Sequence, residues 1–284
     1  MNISKAKKCD IKIMSCVYEL YKDKDIASEI TKNMQMVSFP KEINYQNVDK
    51  YLKAIRQDLR KIFLAVENIE KIYTETQNYS YDRETIGLFI EYIFSKYRTI
   101  LDYVYKIADL TLTIEYSKNK LRDYEKFNEL LDSLKENIPD DERRKLLNTT
   151  WFSDIRKTRN SIIHNGATCL VFQDKTKKIF QIYDLEVNEL VVDKEMYLHE
   201  GNCIYFDYYL ALNISYLLYF INIVFSLIVE KGTINEEQKE LSERYGFLGE
   251  NIGHLKQDTY MALVGQIIHS YKEEGKVNGN RVDK

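Results

Sequence analysis

Residues 208–229 read YYLALNISYLLYFINIVFSLIV, a run of 22 residues without a charged side chain. A helix of this length is able to cross a bilayer or to form the centre of a protein core, and both interpretations stay open. Polar side chains nevertheless fall on one narrow arc of that helix, at positions 208, 215, 219, 222 and 226. Such a stripe is typical of a bundle interior beside a polar site. The run therefore favours a buried core helix and no membrane partner.

The composition around this run is that of a mainly helical globular protein. The chain has 284 residues, of which 44% are hydrophobic and 30% charged. Two prolines and ten glycines are few for an all-β fold, because turns between strands use both residue types. The formal net charge of −3 excludes a protein that coats nucleic acid with its whole surface, so phosphate contacts have to come from a local patch.

Cysteine and histidine usage indicates the compartment and the cofactors. The four cysteines form no CxxC pair and no His/Cys ligand spacing, which is typical of free thiols in a reducing compartment. Lys12 and Glu19 interrupt the apolar residues near the start, so no signal peptide is readable. His199, His254 and His269 are isolated in the sequence. We therefore expect a cytoplasmic protein without a metal or cofactor.

Hydrophobic periodicity outlines the elements on both sides of the run. It predicts helices over about 48–77, 82–112, 119–137, 140–164, 207–230 and 235–273, followed by a disordered tail. Asp82 with Thr85 predicts the start of the second helix, and Asn165-Gly166 predicts a left-handed turn at the end of the fourth. β-branched and aromatic residues predict a β-hairpin over 168–173 and 178–183 and short strands at 190–192 and 203–206.

These elements predict a mainly α fold: an up-and-down helical bundle with a small β-hairpin inserted after the fourth helix. Residues 1–80 are expected to form N-terminal helices that pack on the core. Residues 81–232 are expected to form that helical core, with the β insertion at about 168–206. Residues 233–284 then supply C-terminal helices and the disordered tail. The three stretches together are expected to make one compact domain.

The stretch Arg159-Asn160-Ser161-Ile162-Ile163-His164 is the most informative one for chemistry. On a helical wheel, Arg159 falls inside an arc of core-forming residues made by Trp151, Phe152, Ile155, Thr158, Ile162 and Ile163. A buried guanidinium is costly unless it is paired or hydrogen-bonded, and a helix that needed only a core would carry leucine there. Arg156, Asn160 and His164 follow one another at four-residue spacing, so their side chains are neighbours on the adjoining arc.

These residue types can cleave a phosphodiester without a metal. His164 lies in the last turn of its helix, where the dipole favours the imidazolium, and a histidine that titrates near neutral pH acts as general acid or base. Arg159 is suited to stabilise the added charge of a pentacoordinate phosphorus. A purely structural interpretation stays open, with the arginine salt-bridged across the bundle and the histidine at a helix end.

Arg159-Asn160-x3-His164 resembles the Rx4-6H motif of the HEPN superfamily, including the polar residue that often follows the arginine. The layout over roughly 82–230 is similar as well, because the motif lies late in one long helix and another long helix follows. The resemblance implies a metal-independent endoribonuclease in which Arg159 and His164 are catalytic and Asn160 supports them. It implies attack by the 2′-hydroxyl, a 2′,3′-cyclic phosphate product, and a homodimer whose two motifs meet in one composite cleft.

The resemblance also implies a biological setting and an alternative. HEPN ribonucleases include toxins and phage-defence effectors, so an antitoxin or a regulatory protein is an expected partner. Some HEPN domains have lost activity, and the alternative here is an inactive HEPN dimer that binds RNA or protein. Gly166 departs from the HEPN toxins that are silenced by nucleotidylation, since these carry a tyrosine two positions after the histidine.

Local charge is consistent with an RNA partner. Residues 143–166 contain six basic side chains and one acidic side chain, a net charge of +5 in a chain of net −3. The predicted RNA-binding residues are Arg143, Arg144, Arg156 and Lys157. On the second helix, Arg98 and Asp102 are spaced for an ion pair that orients His164 or Arg159. Solvated helix faces remain the alternative interpretation of both groups.

Overall fold

The computed structural model of the chain describes residues 8–75, 79–112, 123–136, 150–174, 177–182, 203–234 and 257–273. Over these residues the predicted mainly α fold is confirmed, with eight helices and two small sheets. The helices are α1 (Lys8–Tyr21), α2 (Ile26–Gln35), α3 (Tyr45–Glu75), α4 (Tyr79–Thr111), α5 (Asp123–Lys135), α6 (Thr150–Asn165), α7 (Phe206–Lys231) and α8 (257–273). One cluster of buried apolar side chains draws on residues from Ile11 to Ile268, so the first and last helices share the core of the middle ones.

Helices α3 and α4 form the long antiparallel pair of the fold. Asp58 of α3 binds Lys96 of α4 at 3.1 Å, while Tyr51 stacks on Tyr103 nearer the other end of the pair. The apolar period of α3 places its leucine and isoleucine side chains on one buried stripe, as the sequence predicted. Helix α4 begins at Tyr79, so Asp82 lies in its first turn rather than in front of it.

The uncharged run forms α7, the most apolar helix of those described. By length and composition alone it qualifies to cross a membrane, yet 72% of its most apolar window is buried inside the fold. The helix therefore packs as a core helix does. Tyr97 of α4 donates to the Asn213 carbonyl at 2.8 Å, and the Ser215 hydroxyl lies 2.8 Å from that of Tyr260 on α8.

The polar stripe of α7 lies where the helix is least covered. Of its members only Ser215 is fully buried; the half-buried ones are Tyr208, Tyr219, Asn222 and Ser226. The stripe was expected to line the bundle interior beside a polar site; Ser215 lies inside the core, and Tyr208 and Tyr219 pack against it from its margin. The polar side chains stay partly hydrated, since an unpaired polar group inside a core is costly.

The predicted hairpin is confirmed directly after the motif helix. β2 (Cys169–Asp174) pairs antiparallel with β3 (Lys177–Ile182), in a register that opposes Val171 to Phe180. The short strand predicted near 203–206 is present as β4 (Ile204–Tyr205) and pairs with β3. A second sheet joins β1 (Val37–Ser38) to β5 (Thr233–Ile234), and it was not predicted because two-residue strands carry no readable alternation.

Close approach between α4 and β2 fixes where the motif helix ends. A side chain at Gly87 would place its Cβ 2.8 Å from the Cys169 carbonyl oxygen, so only glycine allows this contact. One turn later the Glu91 carboxylate accepts the Cys169 amide at 2.8 Å. The chain leaving α6 is therefore attached to α4 within five residues of His164.

Several predictions fall outside the described residues. They are the strand at 190–192, the first part of the third helix at 119–122, the start of the motif helix at 140–149, the helix at 235–256 and the tail at 274–284. Helix over 257–273 is confirmed as α8.

Candidate active site

The motif occupies the last two turns of α6. The predicted left-handed end of this helix is confirmed: Gly166 has a φ of 69°, and the Ala167 amide donates to the Ser161 carbonyl at 3.1 Å. Glycine suits this position because a side chain strains the left-handed conformation. The turn leaves His164 exposed at the carboxyl end of the helix.

The buried face of α6 differs from the one the apolar residues alone predicted. Phe152, Ile155, Thr158 and Ser161 are buried, whereas Ile163 is 45% exposed. Because two small polar residues turn inward, the buried arc is centred about 120° away from Ile163. Placing Ile163 on the core arc was therefore wrong, whereas Arg159 falls between the buried Ile155 and Phe152 around the helix and is itself half-buried.

Arg159 is held without an ion pair among the described residues. Its Nη1 donates to Oδ1 of the neighbouring Asn160 at 3.1 Å. Its Nε is buried and, like the Thr158 hydroxyl beside it, has no hydrogen-bond partner in the described part of the chain. A guanidinium that is partly desolvated and unpaired can bind an anion strongly, because no carboxylate competes for it.

The two α4 residues predicted to support the motif do face α6. The Arg98 guanidinium lies 5.5 Å from the centre of the Phe152 ring and forms an ion pair with Asp102. Burial raises the pKa of Asp102 above the ordinary value of an aspartate, while Arg98, Lys106 and Arg159 act against that rise. Asp102 thus lies within electrostatic reach of Arg159. Among the described residues it makes no direct contact with His164.

Arg159 and His164 point in different directions within one chain. Five helical positions separate them by about 140° around the axis and about 7.5 Å along it. Asn160 and His164 are both exposed and stack one turn apart on the outer face. Arg156 is half-buried and Lys157 exposed on the same outer side, whereas Arg143 and Arg144 lie outside the described residues. A single phosphate therefore meets both catalytic candidates only across the end of α6 or between two chains.

Two other chemistries are weaker candidates near the motif. Burial, with a smaller effect of Glu91, raises the pKa of the Cys169 thiol, so this cysteine stays protonated and structural at neutral pH. Within the described ranges, no group of three or more His, Cys, Asp or Glu side chains is placed to hold a metal ion.

A charged cluster beside the turn of the hairpin was not predicted. Lys178 of β3 is 8% exposed and binds Asp207 at 2.9 Å and Glu70 at 2.5 Å, with its Nζ 5.5 Å from the centre of the Tyr73 ring. The Tyr73 hydroxyl donates to the Phe172 carbonyl at 3.2 Å, and burial with Asp207 raises its pKa to about 12. Lys178 alternates with Phe180 and Ile182 along β3, and this pattern indicates that its side chain faces inward but not which carboxylates it meets.

Large apolar side chains are exposed around the end of the motif helix. They are Ile163 on α6, Leu88 and Tyr92 on α4, and Leu170 and Phe172 on the outer face of β2. Gly87, next to Leu88 in the chain, touches the Cys169 backbone, so this part of α4 lies beside the start of β2. Exposed apolar side chains that lie close together often form an interaction surface.

Comparison of the chain with protein-family models, with curated proteins and with solved structures found no match. HEPN membership therefore stays a prediction that depends on the motif and on the layout of the helices around it.

Proposed function

We propose that the chain is a metal-independent endoribonuclease of the HEPN type, which cleaves RNA by attack of a 2′-hydroxyl on the adjacent phosphorus. Arg159 stabilises the charge that develops on the phosphoryl oxygens, His164 transfers protons, and Asn160 holds the arginine. The leaving 5′-oxygen takes a proton, and the other product ends in a 2′,3′-cyclic phosphate. A cytoplasmic toxin or phage-defence effector under the control of an antitoxin or regulatory protein fits such an activity.

The observation that carries this proposal is the state of Arg159. A structural arginine at the edge of a core normally ends in a carboxylate, whereas this guanidinium donates to its neighbour Asn160 and keeps a buried Nε without a described partner. Leaving such a donor unpaired costs stability. The cost is explained if the unpaired guanidinium is needed to bind a phosphate.

A homodimer completes the proposal. Since Arg159 and His164 diverge by about 140° on one helix, two copies of α6 that meet end to side bring the arginine of one chain to the histidine of the other. The exposed Ile163, Leu170 and Phe172 lie beside the motif and supply apolar surface for such a contact.

The same exposed apolar residues favour a second candidate function. An inactive HEPN dimer that binds RNA or a protein needs the surface and the cations but not the acid–base pair. It predicts RNA or partner binding that is unchanged in His164→Ala and yields no product.

The test is incubation of the purified protein with a mixed RNA panel in EDTA, with analysis of the product ends. Wild type is expected to give cyclic-phosphate ends, and His164→Ala and Arg159→Ala to give none while they unfold at the wild-type temperature. Lys71→Gln, an exposed change on α3, is the matched control and keeps full activity. RNA that stays intact with folded, dimeric wild type would favour the binding module.

A further inference from the structure

Basic and aromatic side chains also gather on α4 and the start of α3. The rings of Tyr51 and Tyr103 stack with centroids 5.8 Å apart and planes at 25°, and both are half-buried. The exposed Lys106 holds its ammonium 5.5 Å from the centre of the Tyr51 ring. Partly exposed aromatic surface and an exposed positive charge therefore occur together.

Charge links this group to the motif. Arg98 and Lys106 lie four residues before and after Asp102. Both of them, together with Arg159, act to lower the pKa of Asp102. Along α4 the distance from Arg98 to Lys106 is about 12 Å. No ion pair joins Lys106 to a carboxylate of the described residues, so its charge is available to a ligand.

We infer that Tyr51, Tyr103 and Lys106, here called the α4 ledge, form a subsite for single-stranded RNA. The inference rests on the proposed function for the choice of RNA as the ligand. Unpaired bases stack on aromatic side chains, and flanking phosphates bind lysine and arginine. The tyrosine pair receives a base, and Lys106 binds a flanking phosphate.

Position and charge explain what the α4 ledge adds to the motif. Contacts away from the reacting phosphate hold the strand in register, and cleavage requires that register. The charge of the chain as a whole is negative, so a strand is drawn to its local positive surfaces. A solvated helix face with an ordinary cation–π contact would show neither RNA binding nor a salt dependence.

The experiment measures fluorescence anisotropy of a labelled oligouridylate with 2′-O-methyl riboses, which cannot undergo 2′-hydroxyl attack. Lys106→Gln is expected to weaken binding about tenfold at low salt and to lower the salt slope by about one. Lys106→Arg should bind as wild type does. Tyr103→Leu is expected to lose about tenfold, with its fold checked by circular dichroism. Lys71→Gln is the control, on α3 about 30 Å from Tyr51.

The outcomes separate this inference from the proposed function. Binding that depends on Lys106 and Tyr103 in a protein that cleaves no RNA would support the α4 ledge and overturn the ribonuclease. RNA cleavage by a protein whose affinity for the probe is unchanged by both substitutions would support the ribonuclease and overturn the α4 ledge. The inference is also overturned if wild type does not bind the probe, or if Lys106→Gln weakens binding no more than Lys71→Gln does.

Discussion

At the scale of single residues, the proposed function requires an arginine at position 159 and not merely a positive charge. Its guanidinium is half-buried, tied to Asn160 and free of a described carboxylate. A planar group with several donors can follow two phosphoryl oxygens at once, while an ammonium acts as a point charge. We therefore expect the proposed role of Arg159 to depend on the shape of the guanidinium as well as on its charge.

Arg159→Lys tests the requirement for a guanidinium, because it keeps the charge and removes the planar donors. We expect the cleavage rate to fall about 100-fold, with little change in affinity for a non-cleavable RNA. Arg156→Lys, one turn earlier on the outer face, should cleave at close to the wild-type rate because a phosphate contact needs only charge. A lysine at 159 that supports normal cleavage would rule out a transition-state role for the guanidinium.

Gly87 tests the packing that fixes the end of the motif helix. Gly87→Ala puts a methyl group 2.8 Å from the Cys169 carbonyl oxygen, which is backbone and cannot turn away. The free energy of unfolding should fall by about 1–3 kcal/mol in urea titrations, although alanine is the better helix former. Gly166→Ala is the comparison: it meets no atom within 4 Å and should cost only about 1 kcal/mol for its φ of 69°. Equal or higher stability of Gly87→Ala would contradict the close contact.

At the scale of elements, the hairpin is held by the buried Lys178. This single ammonium joins β3 to the start of α7 through Asp207 and to α3 through Glu70. Burial opposes the charge of Lys178, but the two carboxylates outweigh it and raise its pKa. Burial raises the pKa of Asp207 as well, against the attraction of Lys178.

Lys178→Met should lower the free energy of unfolding by about 2–3 kcal/mol at pH 8, since two partly buried carboxylates then face each other unpaired. Without the lysine the pKa of Asp207 rises further. A carboxyl with a raised folded-state pKa favours the folded protein below its unfolded pKa and loses that contribution as pH rises. The defect measured by urea unfolding should therefore be smaller at pH 5 than at pH 8.

Asp207→Asn combined with Lys178→Met is the control for this assignment. The double variant should recover part of the lost stability and lose the pH dependence, because one unpaired charge is gone. A defect of equal size at both pH values would show that Lys178 acts by packing alone.

The sequence predicted elements far better than it predicted which way side chains face. Helices α3, α4 and α7 and the hairpin follow from apolar period and turn chemistry. The facing of Ile163 was missed because Thr158 and Ser161, small enough to bury, shift the core arc of α6. The Lys178 cluster joins residues from three distant segments, and no local pattern encodes such a meeting.

At the scale of the whole molecule, one chain does not bring its two catalytic candidates together. Arg159 is half-buried and donates to Asn160, and His164 is exposed at the helix end. Exposed apolar residues on α4, α6 and β2 adjoin the motif, where a second copy would cover them. We therefore propose that the site forms between two chains, and the pairing is testable through the cleavage reaction.

Mixing Arg159→Ala with His164→Ala is the sharpest test of a shared site. Each variant alone should be inactive. After the mixture is unfolded and refolded, about half of the dimers contain one chain of each kind, and one of their two sites combines an intact Arg159 with an intact His164. Cleavage should return to about a quarter of the wild-type rate. A mixture as inactive as its components would show that both residues must come from one chain, because the mixed dimers then have no complete site.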